Sequence, residues 1–157
     1  MDPAAGFWRR RIVAPLLRQL QQGLTPAQAA ATVAIGFVLA VFPVFGSTTV
    51  LCTLAALRFR LNQPLIQVVN GLCGGLQVLL MIPFFRAGEW LGAPHLSLSM
   101  AALREHLAQM PWQTAKMFST IVLGGIGVWL LLAPPVAALI YFSVRPVLAV
   151  LARGRTS

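Results

Sequence analysis

The chain has 157 residues, 58% of them hydrophobic and 10% charged, with a formal net charge of +9 and a mean hydropathy of +0.80. A water-soluble domain needs a surface with roughly 25–35% Lys, Arg, Glu and Asp, so the composition excludes one and predicts an all-α integral membrane protein. The charge does not indicate nucleic acid, because the arginines gather at Arg9, Arg10, Arg11 and Arg18, at Arg58 and Arg60, and at Arg145, Arg153 and Arg155. Each group flanks an apolar run, the distribution expected of cytoplasmic loops and of contact with anionic head groups.

Residues 1–24 are basic and have neither a continuous apolar stretch nor a small-residue cleavage site, so no cleaved signal peptide is expected. Phe7, Trp8, Ile12, Val13, Leu16, Leu17 and Leu20 set against the arginines predict a short amphipathic helix on the membrane surface, or else a disordered leader. Thr25 followed by Pro26 starts the next helix: a side-chain oxygen for the orphan amides, then a residue whose fixed φ suits the first turn. That helix should run to about Phe42, with Ala30, Ala34, Gly36 and Ala40 allowing close approach of a neighbour.

Pro43, Gly46 and Ser47-Thr48-Thr49 then interrupt an otherwise apolar run, and an unbroken helix through the proline would lose about 3 kcal/mol. Ser47 is expected to cap a second helix from Thr48 to about Phe59, so that residues 26–60 form a helical hairpin. The hairpin either crosses the membrane twice or dips in and returns, and both cases leave Arg58 and Arg60 on the side of entry. A turn at Gly46 needs positive φ or close approach, so leucine is expected to be worse tolerated there than at Gly124.

Asn62 and Pro64 start a third helix, "PLIQVVNGLCGGLQVLLMIPFF", before Arg86, Glu89 and Trp90 mark an interface. Its plan of cap, Pro, apolar run with Gly, then Pro beside Phe repeats that of the first segment, and broken repeats build transporter cores. Residues 93–116 are the least apolar stretch, where Ser99 caps an interfacial helix bearing Met100, Leu103, Leu107 and Met110. The final run, 117–144, is kinked or split at Pro134-Pro135, and a single tilted span is favoured. About four short membrane helices result, with both termini cytoplasmic.

Catalytic groups are scarce: Asp2, Glu89, Glu105, His95 and His106 all lie outside the apolar spans. No nucleophile with a base and no metal cage can be assembled there. Cys52 and Cys73 read as small hydrophobes rather than a disulfide or metal pair. Neither an enzyme nor a bound cofactor is expected. The spans do carry amides: Gln67, Asn70, Gly74 and Gln77 fall within an arc of about 80° on a helix, with Leu72 and Leu79 opposite. An amide facing hydrocarbon unpaired costs several kcal/mol, so these side chains either bond neighbouring helices or line a polar cavity into which the break at Pro43 to Thr49 also points. Arg86 and Glu89, one turn apart, can pair at the far interface as an anchor or as an attractor of charged head groups.

"AIGFVLAVFPVFGSTT" with Gly36, Pro43 and Gly46, "RLN" ending at Asn62, the second asparagine Asn70, and "IPFFRAGEWLG" together resemble the bacterial membrane family catalogued as domain of unknown function 2062. The resemblance covers Pro26 to about Gly92, with a looser match ending near Tyr141. It implies the fold and the bacterial inner membrane but no reaction. The family typically has a proline at or just after the second asparagine, where this chain has Gly71, Gly74 and Gly75; that departure leaves open whether the family's backbone break survives here with glycine in proline's role, and a break at these glycines is the expectation.

The resulting expectation is a basic segment 1–24, a core 25–92 of two broken helical units, an interfacial segment 93–116 and a C-terminal helix with basic tail 117–157. A homo-oligomer binds or moves an amphiphilic or small polar substrate at Thr48, Thr49, Gln67, Asn70 and Gln77, between breaks at Pro43, Gly46, Gly71, Gly74 and Gly75. The alternative is a non-transporting membrane scaffold or accessory subunit.

Overall fold

A computed structural model of the chain describes residues 24–90, 92–93 and 111–153. The expected amphipathic helix within 1–24, apart from Leu24, and the helix capped by Ser99 lie outside them. The described residues form four helices: α1 (Pro26–Ala40), α2 (Thr48–Phe59), α3 (Gln63–Trp90) and α4 (Pro111–Arg153).

α1 begins as its sequence dictates. The Gln28 amide donates to Thr25 Oγ1 at 3.2 Å while Gln28 Oε1 accepts from the Thr25 amide, a reciprocal cap followed by Pro26 in the first turn. The helix ends at Ala40 rather than Phe42. Ser47 does not cap α2 with its side chain; its hydroxyl donates back to the Val44 carbonyl at 2.9 Å and closes the tip of the hairpin instead. α2 stops at Arg60, which adopts φ 52° and lets the Leu61 amide reach the Ala56 carbonyl at 2.9 Å. Asn62 starts α3 by accepting from the Leu65 amide at 2.9 Å, as its position before Pro64 leads one to expect.

α3 contradicts the expected second break. It runs unbroken through Gly71, Gly74, Gly75 and Pro83, so the two segments are not structural repeats. The glycines lower helix propensity by about 1 kcal/mol each, which a long packed helix tolerates; the first segment differs because Gly46, at φ 85°, turns the chain. α4 is likewise one helix through Pro134, Pro135 and Pro146, and it starts at Pro111, so residues 111–116 belong to it and not to an interfacial segment.

Packing follows from small residues on α1. Ala29 and Ala30 meet Leu65 of α3 and Leu148 of α4 in one cluster, while Cys52 and Ala56 of α2 pack with Ile66 beside Ile35 and Leu39. α1 therefore runs alongside α3, and α2 and α4 run antiparallel to both. Thr32, fully buried, joins the base of the hairpin: its hydroxyl donates to Gln28 O at 2.8 Å and accepts from the Asn62 amide at 3.3 Å.

Far from that base, α3 and α4 cross backbone to backbone. A methyl group on Gly88 would lie 2.8 Å from the Gly124 carbonyl carbon, and one on Gly125 2.8 Å from the Phe85 ring. The expected ranking of Gly46 above Gly124 thus overlooks the crossing: Gly46 needs glycine for its φ, Gly124 for space. Gly124→Leu is expected to cost about 3 kcal/mol or more by forcing the helices apart. Gly75→Leu, with open space around its Cβ, should stay within about 1 kcal/mol. Thermal unfolding in detergent compares them, and equal losses would show that the crossing tolerates separation.

Candidate functional site

Pro43 has no amide proton, so the Leu39 carbonyl loses its helical donor. The Phe42 amide turns to Leu39 O at 3.2 Å instead, which leaves Val38 O without its own helical partner. Trp129 of α4 supplies the replacement, its indole Nε1 donating to Val38 O at 3.0 Å, and its ring meets Phe42 edge to face at 4.9 Å. Beyond the proline, Gln77 of α3 donates from Nε2 to Phe42 O at 2.9 Å and to Val44 O at 3.3 Å. Gln77 is only 4% exposed and Pro43 is fully buried beneath it.

The remaining amides face α2. Gln67 Nε2 donates to Thr53 Oγ1 at 3.0 Å and to Thr49 O at 3.3 Å, and Asn70 Nδ2 donates to Thr49 Oγ1 at 3.2 Å. The expected site residues therefore fall into two groups. Thr49, Gln67 and Asn70 come together, Gln77 stands apart at the tip, and Thr48 is buried in the first turn of α2. Five hydrogen bonds from this stripe join α3 to the hairpin. Sequence reasoning missed Thr53, which shares the α2 face of Thr49 four residues away. It also missed Trp129, whose indole N–H in an apolar run signals a buried acceptor nearby.

Beside the tip lies an apolar cavity of about 370 Å³ between α1, α3 and α4, lined among others by Phe37, Val41, Pro83, Ala87, Trp129 and Ala133. Residues of α3 and α4 form its walls, and the end of α1 contributes Phe37, Val38 and Val41. Its lining is carbon, unlike the polar cavity the amide stripe suggested. Above it, Arg86 and Glu89 pair as their spacing predicts, at 3.4 Å, with Arg86 exposed and Glu89 half-buried.

A short hairpin locked onto the middle of a long helix defines the class: among the described residues the protein is all-helical, with two helices long and apolar enough to cross a membrane. The chain belongs to the family described as an uncharacterized protein conserved in bacteria (DUF2062), which matches it over residues 9–156, a longer span than residues 26–92 and the looser match to about Tyr141 that carry the resemblance. No curated protein and no solved structure matches the chain.

Replacing Gln77 with leucine preserves volume but leaves Phe42 O without a donor, whereas Val44 O keeps Ser47. With about 1–3 kcal/mol for an orphaned buried group, Gln77→Leu is expected to lose about 2–3 kcal/mol. Asn70→Leu should lose only about 0.6–1 kcal/mol, the usual value of an interhelical bond in lipid. Unfolding in a graded detergent mixture separates the two, and equal stability of the variants would remove Gln77 from its central place.

Proposed function

We propose that this is a multi-pass protein of the bacterial inner membrane whose α1–α2 hairpin enters from the cytoplasmic side and turns back at half depth, and which holds the hydrocarbon part of an amphiphile in the groove beside the tip. The carrying observation is the shortness of the hairpin arms. α1 has 15 residues and α2 has 12, about 22 and 18 Å long, each short of a hydrocarbon core of about 30 Å. Gln77, which holds the tip, is about 21 Å along α3 from its start, the midpoint of that helix.

Further support comes from the surface. Only 17% of the most apolar window of α3 and 11% of that of α4 is buried within the chain, whereas the core helix of a soluble domain is buried on most of its apolar face. Leu79, Ile82, Leu130, Leu131, Leu139 and Phe142 are exposed. Arg58, Arg60 and Arg145 cluster at the base, and Trp90 and Trp112 are exposed at the opposite end, the arrangement of a cytoplasmic face and an interfacial aromatic belt. With the hairpin returning, α3 and α4 each cross once and both termini are cytoplasmic. The groups available at membrane depth are amides, hydroxyls and aromatic rings, which suit binding rather than turnover. Assembly into a homo-oligomer would enclose a path that two spans alone do not.

The rival reading is a scaffold or accessory subunit. It is favoured by the amides, since Gln67, Asn70 and Gln77 donate their bonds to the hairpin.

With Cys52 and Cys73 replaced by serine, a Phe45→Cys protein tests the depth. Phe45 is 71% exposed at the tip, yet its cysteine is expected to resist a membrane-impermeant maleimide from both sides and to react after solubilisation. Arg60→Cys should react from the cytoplasmic side, where reporters fused after Arg60 and at Ser157 are also expected. Labelling of Phe45→Cys from outside would instead mean a hairpin that crosses fully. Lipid extracts of the purified protein should contain a bound amphiphile that Ala133→Phe removes; a lipid-free protein would leave the scaffold reading.

A further inference from the structure

The carboxamides of α3 are spent on the hairpin, but the hairpin itself keeps donors that nothing in the chain accepts from. Ser47 stands where a helix cap belongs, yet its hydroxyl turns back to Val44 O and gives α2 no side-chain cap. The Leu51 amide reaches Ser47 O at 3.0 Å, whereas the amides of Thr49 and Val50, which a cap normally serves, have no acceptor among the described residues. Thr49 Oγ1 accepts from Asn70 at 3.2 Å and so keeps its own proton to give.

A buried side chain marks the same place independently. Thr48 is only 7% exposed, and its hydroxyl makes no hydrogen bond within the structure. Among the described residues, Gln63 Oε1 is the side-chain atom that is both sealed from solvent and unpaired, so the Thr48 oxygen, unpaired as well, opens onto the surface. Its Cβ, like every Cβ in a helix, tilts toward the N-terminus, which sets the hydroxyl toward the uncapped end.

These groups share one character. They are donors with nothing to receive them, gathered where the helix dipole is positive. No Asp, Glu, Lys or Arg occurs between Thr25 and Arg58 or between Asn62 and Arg86, so no formal charge on these segments assists or opposes them. Such a site takes one negative charge and not two, because a dianion in a medium of low dielectric needs a cation beside it. The approach is polar as well. Gln67, Asn70, Thr49 and Thr53 bond across the seam between α2 and α3, which leads from Arg58 and Arg60 at the base to the tip, and those arginines concentrate anions at its entrance.

Resting on the membrane reading above, which puts the tip at half depth, we propose that the uncapped N-terminus of α2 binds a small monovalent anion, a carboxylate or a halide, on the Thr49 and Val50 amides and the Thr48 hydroxyl. Helices interrupted within a membrane hold anionic substrate groups at their N-termini in this manner. The site is separate from the apolar groove, which α1, α3 and α4 line without α2.

The test reads the Thr49 and Val50 amide resonances of protein carrying isotope-labelled threonine and valine in phosphatidylcholine nanodiscs, with sodium sulfate as the background salt. Sodium acetate and sodium chloride should each move both resonances downfield and saturably in the millimolar range. Thr48→Val, which keeps the shape, should weaken binding about five-fold, the worth of one hydrogen bond. Ser47→Asp brings an internal carboxylate to the same amides; it should abolish the acetate response while raising the unfolding temperature, so that a lost response there is not a lost fold. Resonances that acetate and chloride leave unmoved would overturn the site, and so would a response that Ser47→Asp retains. A response to oleate alone would overturn the small anion in favour of a fatty-acid head group. A water-soluble gadolinium chelate checks the depth in the same samples and should leave the Val50 resonance sharp. Broadening with an intact acetate response would overturn the depth and keep the site; a sharp resonance with no acetate response would overturn the site and keep the depth.

Discussion

The two carbonyls on either side of Pro43 are acceptors at the end of a helix that has run out of donors, and one carboxamide, Gln77, serves them both. A glutamine suits the task because its amide nitrogen carries two protons on a chain long enough to reach from one helix axis to another. Without that contact the hairpin would present unpaired backbone to an apolar environment, where each such group costs several kcal/mol. The indole of Trp129 completes the arrangement on the other side by taking Val38 O. The position of the tip, the floor of the groove and the packing of α4 across α1 all follow from satisfying these few oxygens.

How much of this was legible in the sequence differs from element to element. Thr25-Pro26 and Asn62-x-Pro64 announced their helices because capping is local chemistry, readable within four residues. The hairpin break at Pro43 was legible for the same reason, and so was the partnership of the tip with the Gln67–Gln77 face, since unpaired amides and unpaired carbonyls in an apolar run have to find each other. Two features were not legible. Glycine carries no sign of whether it turns a chain or permits an approach, so Gly71, Gly74 and Gly75 read as a break although the helix continues through them. Gly88 and Gly124 owe their role to a crossing between segments 36 residues apart, which no local pattern encodes. The groove was invisible for a related reason: it is a space bounded by three helices distant in sequence, and no residue type signals an empty volume.

The amide stripe bears on function by what it does not leave over. Gln67 and Asn70 reach Thr53 and Thr49, so polar side chains that could have lined a water-filled path tie the hairpin down instead. The hydrogen bonds at the base and tip then contrast with the groove, whose walls from α1, α3 and α4 are lined by apolar side chains. In the proposed setting, polar groups fix the frame and apolar surface is left to meet the ligand, the usual division of labour in a site for a greasy molecule.

A hairpin that stops halfway also makes the molecule unequal in cross-section. In the proposed insertion, the cytoplasmic leaflet accommodates α1, α2, α3 and α4, while the outer leaflet accommodates only α3 and α4. With each helix about 10 Å across, the protein displaces roughly twice as much lipid area on one side of the bilayer as on the other. Such a wedge relieves lateral stress where the cytoplasmic leaflet is stretched and adds to it where that leaflet is compressed. Its stability and its lateral distribution should therefore respond to membrane curvature, through shape alone and without any further binding event.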